Sequence, residues 1–298
     1  MNTFFRKNII RDLVNKYVKK YQDYNYFNSK YYLDYVYRKK QGLINHAAEI
    51  ETIALRGSTA DYAFIPQCIE NSYNLGLTST DLYFSYQLYL KSKEMLPNLN
   101  NVVVYLAGFT NGFSIIRTNE KYRLVSYKYF FEIPFQEDGF IDQKIEKKIF
   151  GKCKNTQTIV PDDYWGYEEG KTFMPEMDAR VRAKQIIREN RREPDQMVWI
   201  KKIIDQIVKD KKNIFIVIPP YTTALKSFLP PKEKLYEKTY SLLSNYKNIA
   251  NVRLIDLYDS DLFDDSDMGD HDHPNEKGAK KSTMIVKEYI DNPVSTYK

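Results

Sequence analysis

The sequence predicts an α/β three-layer sandwich with a central parallel sheet, and three observations predict it. Short apolar, β-branched runs end in glycine, proline or acidic turns. Helix-patterned stretches separate them, as in a parallel sheet covered on both faces. The 298 residues are 43% hydrophobic and 28% charged, with only 11 Gly and 12 Pro, a globular composition long enough for a substantial core.

Residues 1–45 read as a basic, aromatic, helical segment that caps the fold. Phe5, Ile9, Leu13, Tyr17 and Tyr21 recur every fourth residue, which makes an amphipathic stripe. The first 40 residues carry ten Lys/Arg against three Asp, and seven tyrosines lie between 21 and 37. Such a stretch either stacks on nucleic-acid bases or covers a tyrosine-lined face with lysine stems. No recognisable nucleic-acid module follows, so no nucleic-acid partner is expected. The net charge of +6 is a mild excess. The 26 tyrosines suit ligand grooves and interfaces, and equally a drift in composition.

The α/β domain is expected over 46–292. Its first strand is "ETIALRG" from 51, followed by a short strand in "NSYNLGL" at 71–77. A helix follows, capped by Ser79 or Thr80, with Leu82, Tyr86 and Leu90 on one face. "NVVVYLAG" at 101–108 and "NIFIVIPP" at 213–220 are buried strands. Between them a helical, arginine-rich insertion is expected at about 120–195. A helix entered through proline covers 230–248, "NVRLIDLYD" at 251–259 is the last strand, and 274–292 is a closing helix with Pro274 near its first turn. Residues 293–298 form a tail.

No run approaches 18 apolar residues, so no membrane span is expected. Charges interrupt the first 22 residues every few positions, unlike a signal-peptide core, which makes a cytoplasmic location the expectation. Cys68 and Cys153 are far apart without metal-type spacing, which suits a reducing compartment or indifference to one, and not a disulfide scaffold.

Ligands of open parallel sheets bind beyond the carboxyl ends of the strands. Two such places stand out. After the first strand, Arg56-Gly57-Ser58-Thr59 puts a serine on a tight turn, either an ordinary turn or a nucleophile. After the last, "DSDLFDDSDMGDHDHPNEKGAKK" holds His271 and His273, two of the three histidines in the chain. Asp270-x-x-His273 lets a carboxylate turn back on the imidazole Nδ1–H while Nε2 faces outward. The other reading is a solvated acidic loop. Asp265, Asp267 and Glu276 fit three positions of a calcium-loop frame, but the order of Gly269 and Asp270 breaks its turn. His271-Asp272-His273 lacks a third strong zinc ligand.

"LRGSTADYAFIP", "NSYNLGLTSTDLYFSYQLY", "LPNLNNVVVYLAGF" and "DHDHPNEKGAKKST" together resemble the SGNH (GDSL-type) hydrolase superfamily, specifically its polysaccharide-modification branch. The resemblance covers about residues 50–280 and implies a flavodoxin-like sandwich and a serine esterase or O-acyltransferase. Its substrate would be an acyl, most simply acetyl, ester of a surface glycan or glycan precursor, and it needs no cofactor and no metal. It implies Ser58 as nucleophile, His273 as base and Asp270 as orienting acid, with a one-residue shift placing Thr59 in the first role. It implies Gly76 as an oxyanion donor through its backbone N–H. The family's third block reads Gly-x-Asn, whereas Gly108-Phe109-Thr110-Asn111 has one residue too many. Either Asn111 reaches the oxyanion, or Thr110 substitutes, or that donor is missing. Arg56, where the family has its first glycine, is a second departure, and Gly57 and Thr59 are further ones. An inactive, glycan-binding descendant of the fold is the rival expectation. The arginines at 180, 182, 188, 191 and 192 either bind an anionic sugar or form an exposed helix face.

Overall fold

The computed structural model describes residues 29–170 and 177–292; the amphipathic stripe expected at residues 5–21 and the tail 293–298 lie outside the described residues. The chain divides into two compact units, residues 1–40 with 115–159 and residues 41–114 with 160–298.

The larger unit is built on a five-stranded parallel sheet. Its strands are β1 (Thr52–Leu55), β2 (Ser72–Asn74), β3 (Asn101–Tyr105), β4 (Asn213–Ile218) and β5 (Val252–Asp256). They lie in the order β2-β1-β3-β4-β5. Thr52 faces both Ser72 and Asn101, Asn101 faces Asn213, and Ile214 faces Val252. The order reverses direction after β2, and the strand ends flanking that reversal are where such sheets build sites. Sequence explains much of the sheet directly: β1 and β3 are buried throughout, as a largely apolar run without polar alternation requires, and the short β2 (Ser72-Tyr73-Asn74) is buried as well.

In chain order the helices are α1 (Lys30–Asn45), α2 (Ser58–Ala63), α3 (Leu82–Met95), α4 (Arg123–Phe131), α5 (Gln143–Lys154), α6 (Ala179–Asn190), α7 (Met197–Lys209), α8 (Thr223–Lys226), α9 (Lys232–Leu235), α10 (Glu237–Ser244) and α11 (Glu276–Asp291). Alternate strand residues Ala54, Val103, Tyr105, Phe215, Val217 and Ile255 form one core with Ala60 and Ala63 of α2 and Val286 of α11. On the other side α7 packs on β4 and α3. Ile200, Ile203, Ile204 and Ile207 give α7 the buried stripe this needs. The result is the three-layer α/β sandwich.

Local chemistry moves several element ends. Asp81, not Ser79 or Thr80, caps α3, its carboxylate accepting the Phe84 N–H at 3.0 Å. Ser79 has a left-handed backbone, φ +61°, and the Thr80 N–H goes to the Leu77 carbonyl at 3.1 Å. The helix expected over 230–248 is broken at Tyr236, whose buried ring packs with Tyr221 and Tyr258. Pro274 precedes α11, which Asn275 caps by accepting the Gly278 N–H at 3.1 Å.

In the smaller unit, the Tyr32 and Tyr127 hydroxyls are 2.7 Å apart, and the Arg123 guanidinium lies 4.9 Å over the Tyr32 ring. Lys128 of α4 pairs with Glu146 of α5 at 2.9 Å and covers Phe135 at 4.2 Å. Residues 115–159 account for only the first part of the insertion expected at about 120–195; α6 belongs to the larger unit.

Candidate active site

Leu55 ends β1, and the next residue, Arg56, takes φ +97°. That conformation costs a non-glycine residue about 1–3 kcal/mol and marks an over-determined turn. Gly57 follows as the N-cap of α2, so Ser58 is the first helical residue, at the carboxyl edge of the sheet. Ser58 is partly exposed, whereas Thr59 is 3% exposed and points into the protein.

The Ser58 hydroxyl lies 2.8 Å from Nε2 of His273. Nδ1 of His273 lies 2.9 and 3.0 Å from the two oxygens of Asp270. The loop holding the last two is tightly closed. Asp270 Oδ1 accepts the N–H groups of Asp272 (2.9 Å) and His273 (2.8 Å), and the His273 carbonyl accepts the Gly269 N–H at 2.9 Å. These backbone bonds, not side-chain packing alone, aim the imidazole. The Tyr62 ring lies 5.1 Å from it. A hydroxyl, an imidazole and a carboxylate in this order can generate a nucleophilic oxygen and move its proton.

Burial alone would push the Asp270 carboxyl up. The His273 hydrogen bond and charge and the two backbone N–H groups outweigh it and hold it at about 2. His273 is raised above its ordinary value near 6.5: burial pushes it down, but Asp272 and Asp270 outweigh that, while Arg182 opposes them. Linkage then has opposite signs for the two groups. The depressed Asp270 contributes stability that is present above its ordinary range and lost as pH falls toward 2. The raised His273 contributes stability that is full below about 6.5 and lost as pH rises through its folded value.

Two partners of the site went unread in the sequence. Asp272 is 4% exposed and takes a two-pronged ion pair from Arg182, Nε at 2.8 Å and a close Nη2 contact. This pair leaves Asp272 Oδ1 3.9 Å from His273 Nδ1. An arginine among five, and an aspartate between two histidines, carry no spacing signal for it. Asp272→Asn removes a charge that raises His273 and frees Arg182, which lowers it. The acid limb of any activity that needs neutral His273 should therefore shift to lower pH, which a pH–rate profile of the variant reads.

Of the other arginines, Arg188 and Arg192 pair with Glu189, and Arg180 lies 5.1 Å over the Phe228 ring. Those three are surface contacts of α6 and its end. Two of the three carboxylates of the calcium-loop frame are also taken. Asp267 is fully buried and held by Lys281 (2.7 Å) and Lys277 (3.0 Å), and Asp265 accepts the Thr223 N–H at 2.7 Å. The second histidine, His271, is 2.9 Å from the Thr222 hydroxyl through Nδ1.

Gly76 has a different place from the one expected of an oxyanion donor. Its N–H is given to Asn74 Oδ1 at 2.9 Å, and Asn74 Nδ2 bonds the carbonyls of Ala60, Asp61 and Phe64 at the end of α2. A Cβ on Gly76 would lie 2.5 Å from the Asp61 nitrogen. Gly76 therefore lets this loop press against the helix that begins with Ser58. Gly76→Ala should cost about 1–3 kcal/mol by overpacking, read as a lowered urea midpoint.

In the third block, Thr110 and Asn111 are buried, at 2% and 4% exposure. The Asn111 carbonyl accepts the Gln196 N–H at 2.7 Å, and the Thr110 hydroxyl oxygen accepts Nη2 of Arg56 at 3.1 Å. Behind them Tyr221, held up at about 12 mainly by burial, accepts the Gly108 N–H at 2.7 Å.

No family model matches the chain. No curated protein matches it. A solved Streptococcus pneumonia structure, provisionally described as a platelet activating factor, is similar over 97% of this chain and 100% of its own, at TM-score 0.41 and 9% identity. At that distance the chemistry has to be read from the site itself. Among the described residues, no helix is long and apolar enough to cross a membrane.

Proposed function

We propose that the protein is a serine acyl hydrolase or O-acyltransferase whose substrate is an acyl ester, most simply an acetyl ester, of a surface glycan or its precursor. One arrangement supports the reading above all: Ser58 Oγ at 2.8 Å from His273 Nε2, with Asp270 behind Nδ1. Ser58 attacks the ester carbonyl and His273 takes its proton, then returns it to the leaving alcohol. Asp270 holds the ring in the tautomer that leaves Nε2 free and stabilises the imidazolium. Water as second nucleophile makes an esterase, and a sugar hydroxyl makes a transferase. The glycan assignment rests on the sequence resemblance at residues 50–280. A glycan precursor as acceptor would put the reaction in the cytoplasm.

The test is turnover by the full chain on an aryl acetate and on an O-acetylated oligosaccharide, with an unmodified oligosaccharide added as acceptor. Release of acetate, or its appearance on the acceptor, is the expected result. Saturable oligosaccharide binding without turnover of either ester would favour a non-catalytic binder. One observation speaks for that second reading: the Gly76 N–H is already spent on Asn74.

A further inference from the structure

We propose that Arg56 and Thr110 form a hydrogen-bond relay in which Arg56 donates to the Thr110 oxygen, and the Thr110 hydroxyl so oriented donates to the oxyanion formed when Ser58 attacks an ester. Thr110 is then a catalytic residue and Arg56 a positioning residue. The inference rests on the acyl-transfer reading above and deepens it.

The two positions are among those at which the sequence departs from the motif it resembles, and in the structure they touch. Arg56 stands two residues before Ser58 in a left-handed conformation, and its side chain reaches the segments that follow β2 and β3. Nη1 bonds the Thr80 carbonyl, and Nη2 bonds Thr110 Oγ1 at 3.1 Å. A threonine hydroxyl has one proton and two lone pairs. Accepting from Arg56 fixes its orientation, and among the described residues no acceptor takes the proton. A buried donor without an acceptor is costly in the resting protein and useful only where negative charge develops. A cationic donor on the oxygen also makes that proton the stronger donor.

The charge of Arg56 is itself unusually placed. The residue is 3% exposed, makes no ion pair among the described residues, and leaves Nε without a hydrogen-bond partner. Its guanidinium lies 5.9 Å from the rings of both Phe109 and Phe113, a setting of low polarity in which a positive charge acts at longer range than in water. Burial lowers it to about 10, with Asp81 opposing, so it stays a cation at neutral pH. Asp81 is itself the α3 cap.

Bonds balance without further reactants. The Ser58 oxygen bonds the acyl carbon as its proton passes to His273, and the carbonyl electron pair moves onto oxygen. Thr110 donates a hydrogen bond to that charge, Arg56 donates only to the Thr110 oxygen, and neither transfers a proton. On collapse the carbon–alkoxide bond breaks and His273 protonates the leaving alcohol.

The experiment is steady-state aryl acetate hydrolysis by the full chain carrying Thr110→Val, Thr110→Ser, Asn111→Ala, Arg56→Lys, or Arg56→Lys with Thr110→Val. Thr110→Val should lower kcat about 100-fold, the loss of one oxyanion donor, with KM moved less than about threefold. Thr110→Ser, which keeps the hydroxyl, should recover most of it. Arg56→Lys should lose about tenfold, and the double variant should be no slower than Thr110→Val alone, because both act through one bond. Thermal midpoints identify any variant that fails to fold; if Arg56→Lys fails, the Thr110 pair decides. The inference is overturned if Thr110→Val stays within about threefold of wild type, if Asn111→Ala takes the loss instead, or if the double variant's losses multiply. A wild type that neither hydrolyses the ester nor reacts at Ser58 overturns the parent reading and this inference with it.

Discussion

Ser58→Ala is expected to lower kcat for ester cleavage by about 10⁴- to 10⁶-fold while leaving the fold unchanged. Ser58 is partly exposed and, among the described residues, its hydroxyl is bonded to His273 alone, so truncation opens no cavity in the core. Helix α2 keeps its N-cap at Gly57, which makes no side-chain bond. A circular dichroism melt within about 2 °C of wild type, beside lost turnover, is the signature of a missing nucleophile; a surface serine without a role would change neither. Thr59 does not replace it, because it is buried and a secondary alcohol. Retained hydrolysis in Ser58→Ala would move the nucleophile elsewhere.

Asp270→Asn is expected to cost about 10⁴-fold, again with little loss of fold. The reason is a division of labour between the two oxygens. Oδ1 accepts the Asp272 and His273 N–H groups and so holds the turn, and an asparagine oxygen can do the same. Oδ2 is the nearer oxygen to His273 Nδ1, at 2.9 Å. In the asparagine variant an NH₂ group stands there and donates to Nδ1. That forces the ring proton onto Nε2, where it faces Ser58 and blocks proton transfer. The substitution also removes the carboxyl that is held at about 2, so part of the acid loss of stability should disappear from a urea titration at low pH. Unchanged turnover in Asp270→Asn would show that the carboxylate only builds the loop.

The sheet was legible in the sequence because its β1, β3 and β4 strands are apolar runs with a residue behind each that stops it: Arg56 after Leu55, Gly108 after the 101–107 run, Pro219 after Ile218. Strand position in a parallel sheet follows from such runs, since both faces are covered. Ser58, Asp270 and His273 were legible for a different reason. Turn residues at the carboxyl edge are a short list, and Asp-x-x-His is a local geometry that the loop's own backbone bonds complete. Contacts made by tertiary packing were not. Arg182 reaches Asp272 across 90 residues, and Arg56 reaches Thr110 across 54, with nothing in either neighbourhood to mark the partner. Gly76 illustrates the same limit. A glycine after a strand reads as a free N–H, but the bond to Asn74 and the 2.5 Å approach of Asp61 give it a packing role. Helix ends erred where two side chains competed: Asp81, carrying the charge, caps α3 ahead of Ser79 and Thr80.

The most direct measurement is covalent trapping of the full chain with a fluorophosphonate, followed by peptide mass mapping. The account predicts one phosphonyl group, on Ser58, formed at a rate that rises with pH as His273 loses its proton, and absent from His273→Ala. Label on Thr59 or on another hydroxyl, or no label at a concentration that saturates a known serine esterase, would contradict it.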